Sequence, residues 1–386
     1  MKIADVKVWS LRSPLEQPFA FSQGWVRHRA ATIVEVVTDE GTSGWGEALC
    51  QGLQPPEIAA AAITYGLRPL LLGEIAGRPE VLWHKMYNHC RDFGLKGAVI
   101  AAISAIDIAL WDLLGKKLQQ PIHALLGGAF RTRVQPYATG FYRITGQGEA
   151  KRLAAEAQRH CENGFRAMKI KLGFGLDDDL EVMREIRHAL GDAPVTLMID
   201  TNHAYGVADA ISLGRALQDY RLRWYEEPVV QEDLVGYAEV RRALGTPIAG
   251  GENEFTLFGF RDLIAGRCVD VVQPDIAAAG GFTACRHIVT LAHANGVAVN
   301  PHVWGSAIGQ AASLQLLAAL PVPHPSLYAT EPIFEYDQSS HPFRRELVVK
   351  PIEHKNGWVE IPDGPGLGIE INRDVLEKYS AIGNVI

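Results

Sequence analysis

The sequence of 386 residues lacks the common nucleotide-binding signatures, since neither a GxGxxG nor a GxxxxGK[ST] pattern occurs in it. It also lacks any block of lysine or arginine, and its formal net charge is -7. We therefore expect neither a nucleic acid nor an anionic membrane surface as a partner.

Cysteine is scarce, and the five residues form no CxxC pair, which is typical of reduced thiols. The N-terminus, Met-Lys-Ile-Ala-Asp-Val-Lys, lacks the apolar core of a signal peptide. No apolar run approaches the roughly 18 charge-free residues of a membrane span. These absences predict a soluble, cytoplasmic protein that does not enter a membrane.

Short apolar runs that end on a charged residue recur along the middle of the chain. Their last residues, spaced 23 to 29 positions apart, are Lys171, Asp200, Glu226, Glu252, Asp275 and His302. Each interval has room for one strand and one helix, and glycines end the intervening helices. The pattern predicts a (β/α) barrel with its active site at the strand ends. The alternative is an open doubly wound sheet, which needs a crevice where the strand order reverses.

The first part of the chain has strands followed by helices, which predicts an α+β domain over residues 1–125. We expect the barrel domain over residues 126–338 and, over 339–386, a C-terminal segment that returns to the first domain. Two loops are predicted in the first domain. Phe19 to His28 mixes aromatic and hydrogen-bonding side chains, and Leu49 to Pro56 ends in two prolines.

Asp200, Glu226 and Glu252 end three consecutive strands, so their carboxylates should converge at the barrel mouth. Three oxygen ligands without histidine or cysteine favour Mg²⁺ or Mn²⁺ over Zn²⁺. Glu227 follows Glu226 directly and, by the two-residue period of a strand, should point to the opposite face. A single acid at the end of a strand is usually a helix cap or an ion-pair partner. Three acids at the same place in consecutive strand–helix units indicate a metal site.

Lys169 and Lys171 lie two residues apart and therefore on one face of their strand. We expect a bound ion to lower the pKa of both lysines, and each ammonium group to lower the pKa of the other. Both effects would favour a neutral amine able to act as a base. Asp275 ends the strand before His302, so its carboxylate could orient the imidazole for proton transfer. Lys171 and His302 would then approach a substrate from opposite sides, which suits removal of a proton next to a carboxylate.

Several motifs, taken together and in order, resemble those of the mandelate racemase subgroup of the enolase superfamily. They are Lys169-Ile-Lys171, Asp200-Thr-Asn202, Glu226-Glu-Pro228, Gly251-Glu252-Asn253, Gln273-Pro-Asp275, Asn300-Pro-His302, the helical stretch Ser104 to Lys117, and Phe334-Glu-Tyr-Asp337. The resemblance covers essentially the whole chain.

This resemblance implies a modified TIM barrel, (β/α)7β, with an N-terminal α+β capping domain, and a homo-oligomer. It implies one Mg²⁺ per subunit, with Mn²⁺ possible, on Asp200, Glu226 and Glu252. The acid/base catalysts it implies are Lys171 and the pair of His302 and Asp275. It further implies that Lys169 contacts the substrate carboxylate, that Asn202 binds substrate, and that Glu335, or alternatively Glu331, hydrogen-bonds the enediolate oxygen. Specificity would come from the first-domain loops, where the candidate residues are Gln23, Trp25, Arg27 and His28.

The expected reaction is removal of the α-proton of a sugar acid, followed by expulsion of the β-substituent. If hydroxide leaves, the enzyme is a dehydratase in which His302 protonates the leaving group. If a ring oxygen leaves, it is a cycloisomerase that opens a sugar-acid lactone or anhydro sugar acid. Racemisation or epimerisation is a third possibility, because two bases face each other. A catalytically silent sugar-acid-binding protein is the non-enzymatic alternative.

Overall fold

The computed structural model describes residues 1–322 and 326–380. Three residues of the predicted barrel domain and the last six of the predicted C-terminal segment lie outside the described residues. The boundaries at residues 125 and 338 stay predictions, although the elements on either side of them are described below.

The first domain is a three-stranded antiparallel sheet covered by helices. Its strands are β1 (Ile3–Phe21), β2 (Gly24–Thr38) and β3 (Ser43–Ala48). Its α-helices are α1 (Pro56–Ala61), α2 (Arg68–Leu71), α3 (Pro79–Cys90), α4 (Ala98–Leu118) and α5 (Ile122–Leu125), and a π-helix, Ala62–Leu67, joins α1 to α2. The predicted α+β domain is therefore confirmed.

The prediction of a loop from Phe19 to His28 is largely wrong. β1 and β2 form one long hairpin that turns at Ser22 and Gln23. Phe19 pairs with Val26 and Phe21 with Gly24, so the residues on both sides of the turn belong to strands. The aromatic residues that suggested a loop are alternating strand residues, some buried and some exposed.

The short strand β4 (Arg133–Val134) precedes an eight-stranded parallel sheet, in which strands and helices alternate. The strands are β5 (Pro136–Thr139), β6 (Ala167–Lys171), β7 (Thr196–Asp200), β8 (Tyr225–Glu226), β9 (Ile248–Gly250), β10 (Val271–Val272), β11 (Ala298–Val299) and β12 (Phe334–Asp337). The helices are α6 (Ala150–Glu162), α7 (Leu176–Leu190), α8 (Val207–Ala216), α9 (Leu234–Ala243), α10 (Thr256–Ala265), α11 (Gly281–Ala294) and α12 (Ala307–Ala319), with a 3₁₀ turn at Gln218–Tyr220. Seven βα units and a final strand confirm the predicted (β/α)7β barrel.

The barrel curls so that β12 lies beside β5, with the remaining strands following in chain order to β11. Side chains bridge the gap between the last strands: Asn300 Oδ1 accepts from Ile333 N at 2.9 Å, and Glu335 Oε2 accepts from Val303 N at 3.0 Å. The core is the apolar layer between the sheet and its helices.

The C-terminal segment contains α13 (Pro342–Arg345), β13 (His354–Lys355), β14 (Trp358–Glu360) and α14 (Arg373–Ser380). β14 pairs with β4 at the start of the barrel, whereas α14 packs on β1 of the first domain. Arg373 also forms an ion pair with Glu35 of β2. The segment thus contacts both domains.

Helix α4 runs between the two domains as a buried core helix. Among the described residues it alone is long and apolar enough to cross a membrane, but 83% of its most apolar window is buried inside the protein. Two acids in it bond to other parts of the chain: Asp107 accepts from Thr283 N of the barrel at 2.9 Å, and Asp112 accepts from Leu367 N of the C-terminal segment at 2.8 Å. Both acids are buried, so their role is to hold these contacts by hydrogen bonds.

Candidate active site

Three buried carboxylates meet at the carboxyl ends of adjacent barrel strands. Asp200 pairs in register with Glu226, and Glu252 lies two residues after the end of β9. The three offer oxygens that lie within 4.8 Å of one another. Glu252 Oε2 accepts no hydrogen bond in the described part of the chain, and His302 Nε2 lies 3.3 Å from it. An oxygen donor set with an unsatisfied buried atom fits a hard divalent cation such as Mg²⁺.

The carboxylates of this cluster repel one another strongly. Burial, together with the charges of Asp200, Glu335 and Glu252, raises the pKa of Glu226 to about 7, against the opposing effect of Lys169. Gln273 and Trp224 each donate a hydrogen bond to Glu226 Oε2, at 2.7 and 2.8 Å. A divalent cation would relieve the repulsion among the carboxylates.

Both lysines of β6 point into the cluster, as the strand period requires. Lys171 Nζ lies 2.5 Å from Asp200 Oδ2 and donates to Asn202 Oδ1 at 2.9 Å. Lys169 Nζ bridges Glu226 at 2.5 Å and Glu335 at 2.8 Å.

The expectation of lowered lysine pKa values depends on a bound ion; the side chains alone raise the pKa of both lysines. Burial lowers the pKa of Lys171, and so does the charge of Lys169, but Asp200 and its neighbouring acids outweigh both and raise it. A cation bound among the acids would neutralise them and act in the opposite direction.

His302 lies on the other side of the three carboxylates from Lys171. Strands β7, β8 and β9, which carry the acids, lie between β6 and β11 in the sheet. His302 Nδ1 is 2.7 Å from Asp275 Oδ2, and its Nε2 is 3.3 Å from Glu252 Oε2. Burial lowers the pKa of His302, but Glu252, Glu335 and Asp275 together raise it to about 10. The imidazole is thus oriented by Asp275 with its second nitrogen facing the cluster.

The two candidates for the enediolate contact lie in different places. Glu331 is largely exposed and pairs with Arg131, away from the carboxylate cluster. Glu335 is buried beside Lys169. Burial favours its neutral form, but Lys169, His302 and Lys171 lower the pKa of Glu335 to about 2. An ionised Glu335 accepts hydrogen bonds and holds Lys169, so the geometry favours Glu335 over Glu331 as the residue at the site.

The prediction that Glu227 points away from the site is wrong. Glu227 has a left-handed backbone with φ of 45°, which breaks the strand alternation after Glu226. Its carboxylate accepts from Asn253 Nδ2 at 2.8 Å and from Asn202 Nδ2 at 3.4 Å. Because Asn202 also accepts from Lys171, Glu227 supports the lysine side of the site.

A cavity of about 300 Å³ opens onto these groups between the barrel and the capping domain. Its lining residues are Phe21, Gln23, Val26, Gln51, Gly52, Leu53, Gln54, Tyr142, Lys171, Asn202, His203, Glu252, Asn253, His302 and Trp304. Gln23 is therefore brought to the site, and its Nε2 donates to Asn202 O at 2.8 Å. Trp25, Arg27 and His28 are exposed residues of β2 that do not line the cavity.

Several residues at the site had been assigned no role from the sequence. Gln273 could have been found, because it shares a strand face with Asp275 by the period of two. Gln51, which donates to Glu252 Oε1 at 3.3 Å, lies on the second predicted loop but carried no distinguishing signal. Tyr142 and Trp304 lie beyond the ends of β5 and β11 and contact each other at the cavity, with ring centroids 5.6 Å apart.

Comparison with known proteins matches both domains to described families. Residues 3–127 match the mandelate racemase / muconate lactonizing enzyme N-terminal domain, and residues 152–375 match the enolase C-terminal domain-like family.

Individual relatives extend over nearly the whole chain. The chain is 41% identical to D-galactarolactone cycloisomerase of Agrobacterium fabrum, over 98% of this chain and 99% of the relative. It is 34% identical to arabinonate dehydratase of Saccharolobus solfataricus, over 89% of each chain. The crystal structure of 3,6-anhydro-D-galactonate cycloisomerase from Zobellia galactanivorans matches with a TM-score of 0.87 and 38% identity, covering 98% of this chain and 99% of that one. The chain therefore belongs to the enolase superfamily of enzymes, within the mandelate racemase and muconate lactonizing enzyme family.

Proposed function

We propose that the protein is a Mg²⁺-dependent enzyme that removes the proton α to the carboxylate of a sugar acid and then eliminates the β-oxygen substituent. The observation that carries the proposal is the placement of Lys171 and His302 in one cavity, on opposite sides of three buried carboxylates. The partner is a small sugar acid. A cytoplasmic location and a homo-oligomeric state remain predictions.

Each group has a distinct task in this reaction. Mg²⁺ on Asp200, Glu226 and Glu252 would bind the substrate carboxylate and stabilise the charge that develops on it. Lys169, held between Glu226 and Glu335, adds a fixed positive charge beside that carboxylate.

Proton transfer falls to the two groups on either side. Lys171 is positioned by Asn202 on one side of the substrate. His302, oriented by Asp275, delivers a proton to the departing oxygen on the other side.

The first candidate reaction is dehydration, in which hydroxide leaves and a 2-keto-3-deoxy acid forms. Similarity to arabinonate dehydratase supports it. The second is cycloisomerisation, in which a ring oxygen leaves. Similarity to D-galactarolactone cycloisomerase supports it, and so do the aromatic rings of Phe21, Tyr142 and Trp304 on the cavity wall, which could pack against the face of a sugar ring.

Proton NMR in D₂O with Mg²⁺ tests the proposal on aldonic acids, aldaric acids, lactones and anhydro sugar acids. Keto-deoxy product from open-chain acids identifies a dehydratase, and product only from cyclic acids identifies a cycloisomerase. Deuterium at the α-carbon without elimination would identify an epimerase or racemase instead.

Lys171→Ala should abolish both product formation and exchange, while the exposed-surface control Lys355→Ala should behave as the unmodified protein. Turnover by Lys171→Ala, or no reaction of the unmodified protein with any acid, would contradict the proposal.

A further inference from the structure

Two unlike groups of residues line the cavity. The floor, where the barrel strands end, carries the ionisable groups Lys171, Glu252 and His302. The second group, called the wall below, is mostly apolar and consists of Phe21, Val26, Leu53, Tyr142 and Trp304. Three side-chain amides, those of Gln23, Gln51 and Gln54, complete the lining on the capping-domain side. The wall offers hydrogen bonds and apolar contact, but among the described residues it offers no cationic group.

The basic side chains near the cavity are already committed to other groups or lie at the floor. Arg29 is buried behind the wall, where its guanidinium lies 4.9 Å from the ring centroids of both Phe19 and Trp304. It also forms an ion pair with Asp337 at 3.3 Å. His203 lines the cavity next to Asn202, with its backbone N–H bonded to Glu227 O at 2.8 Å, and thus belongs to the floor. A charged group at the distal end of a substrate would therefore meet no cation on the wall.

The cations that face the carboxylate cluster are already paired with acids. Lys169 lies 2.5 Å from Glu226, Lys171 lies 2.5 Å from Asp200, and His302 lies 2.7 Å from Asp275. Glu335 and Glu252 add two further acids beside them. A second carboxylate on the substrate would therefore lose its water without gaining any of these three cations as a partner, which is costly.

We propose that this enzyme selects substrates with a single carboxylate and an uncharged distal part. Such substrates are aldonic acids and the monolactones or anhydro forms of sugar acids, whereas open-chain aldaric diacids are rejected. The inference rests on the proposed function, and it concerns the distal part of the molecule and not the chemistry at the α-carbon.

The ring-opening case also accounts for product release. The α-carbon loses its proton to the enzyme, the electron pair of that bond forms a carbon–carbon double bond, and the β-carbon–oxygen bond breaks. The ring oxygen of a lactone leaves with its electron pair as a carboxylate, and the enol becomes a keto acid with the same atoms as the substrate. The product thus carries two carboxylates in a cavity suited to one, which favours its dissociation.

A matched series of three compounds tests the selection with the Mg²⁺-loaded enzyme. They are a hexaric acid, its monolactone and the hexonic acid of the same configuration, each tried in the gluco and galacto series, with initial kcat/KM measured by NMR. We expect the better monoanion to exceed the diacid more than tenfold, and by about 100-fold if the lost interaction resembles an unpaired buried charge. A difference below tenfold overturns the inference but leaves the proposed function intact. Absence of both product and α-proton exchange with every compound overturns both.

A positive charge placed on the wall should weaken the preference for substrates with a single carboxylate. Gln54→Arg adds a cation on the capping-domain loop, and Gln54→Met adds a side chain of similar length without charge. We expect Gln54→Arg to raise kcat/KM for the diacid relative to the monoanion by at least about fivefold, an effect that should weaken in high salt. Gln54→Met should not change that ratio. Equal ratios for the two variants would show that wall charge does not select the substrate.

Discussion

The floor and the wall of the cavity differ in origin as well as in chemistry. The floor consists of residues at or just beyond the ends of barrel strands, where Lys171, Asp200 and Glu226 pair in register across three neighbouring strands. The wall is formed largely by the tip of the β1–β2 hairpin and the loop after β3, which pack against each other: an added Cβ on Gly52 would lie 2.8 Å from Val26. Under the proposed function, the barrel therefore supplies the reaction chemistry, and the capping domain supplies most of the residues proposed to select the substrate.

The two regions are joined just after His302. Glu47, at the end region of β3, accepts hydrogen bonds from Ser306 N at 2.8 Å and from Gly309 N at 2.9 Å. Arg344 donates to Trp304 O at 2.7 Å and to Gly305 O at 2.8 Å. The segment that follows the floor residue His302 and includes the wall residue Trp304 is therefore fixed by side chains from the first domain and from the C-terminal segment.

The largest loss of activity should come from removing the metal. This change affects the floor and leaves the wall intact. We expect a chelator to lower turnover by about 10³-fold or more, because a metal ion contributes several kcal/mol of charge stabilisation. Added Mg²⁺ should restore the rate, whereas Zn²⁺ should restore it poorly at a site of three carboxylates. Full activity in thoroughly chelated enzyme would show that the three acids serve another purpose.

A smaller effect on the floor is expected from Asp275→Asn. The amide can no longer fix the same ring orientation of His302, so kcat should fall by about 10²-fold or more while Mg²⁺ affinity changes little. Steady-state kinetics measures the change in kcat, and calorimetric titration measures the affinity for Mg²⁺. If kcat is unchanged, His302 needs no orientation by Asp275 and its proposed role in proton transfer is weakened.

This division also explains what could be predicted from the sequence. The floor follows from strand period and spacing, so the sequence alone places Lys171, Asp200, Glu226 and His302 together. Glu227 could not, because its left-handed φ of 45° interrupts the alternation. The wall depends on how a hairpin and a loop pack on the barrel, and local sequence does not encode that geometry. For this reason the candidate specificity residues included Gln23, which lines the cavity, together with three neighbours that do not line it.

At the junction of the two regions, Glu47→Ala should destabilise the folded protein. The change leaves buried donors on Ser306 and Gly309 without an acceptor, and we expect a loss of about 3 kcal/mol in the free energy of unfolding. The partly exposed ion pair of Glu57 and Arg12 provides the control, since Glu57→Ala should cost less than about 1 kcal/mol. Urea unfolding measures both, and equal losses would mean that the Glu47 contacts do not hold the domains together.

The smallest effect should distinguish two residues near the tip of the β1–β2 hairpin, Gln23 and Arg27. Gln23 lines the cavity and bonds to Asn202 O, so Gln23→Ala should raise KM by about three- to tenfold with little change in kcat, in line with the loss of one or two ordinary hydrogen bonds. Arg27 lies on the opposite face of β2 from Val26, so Arg27→Ala should change KM by less than about twofold. Steady-state kinetics on the best substrate of each class gives both values. A larger effect at Arg27 than at Gln23 would mean that the hairpin rearranges when substrate binds, and it would support a substrate-binding role for Arg27.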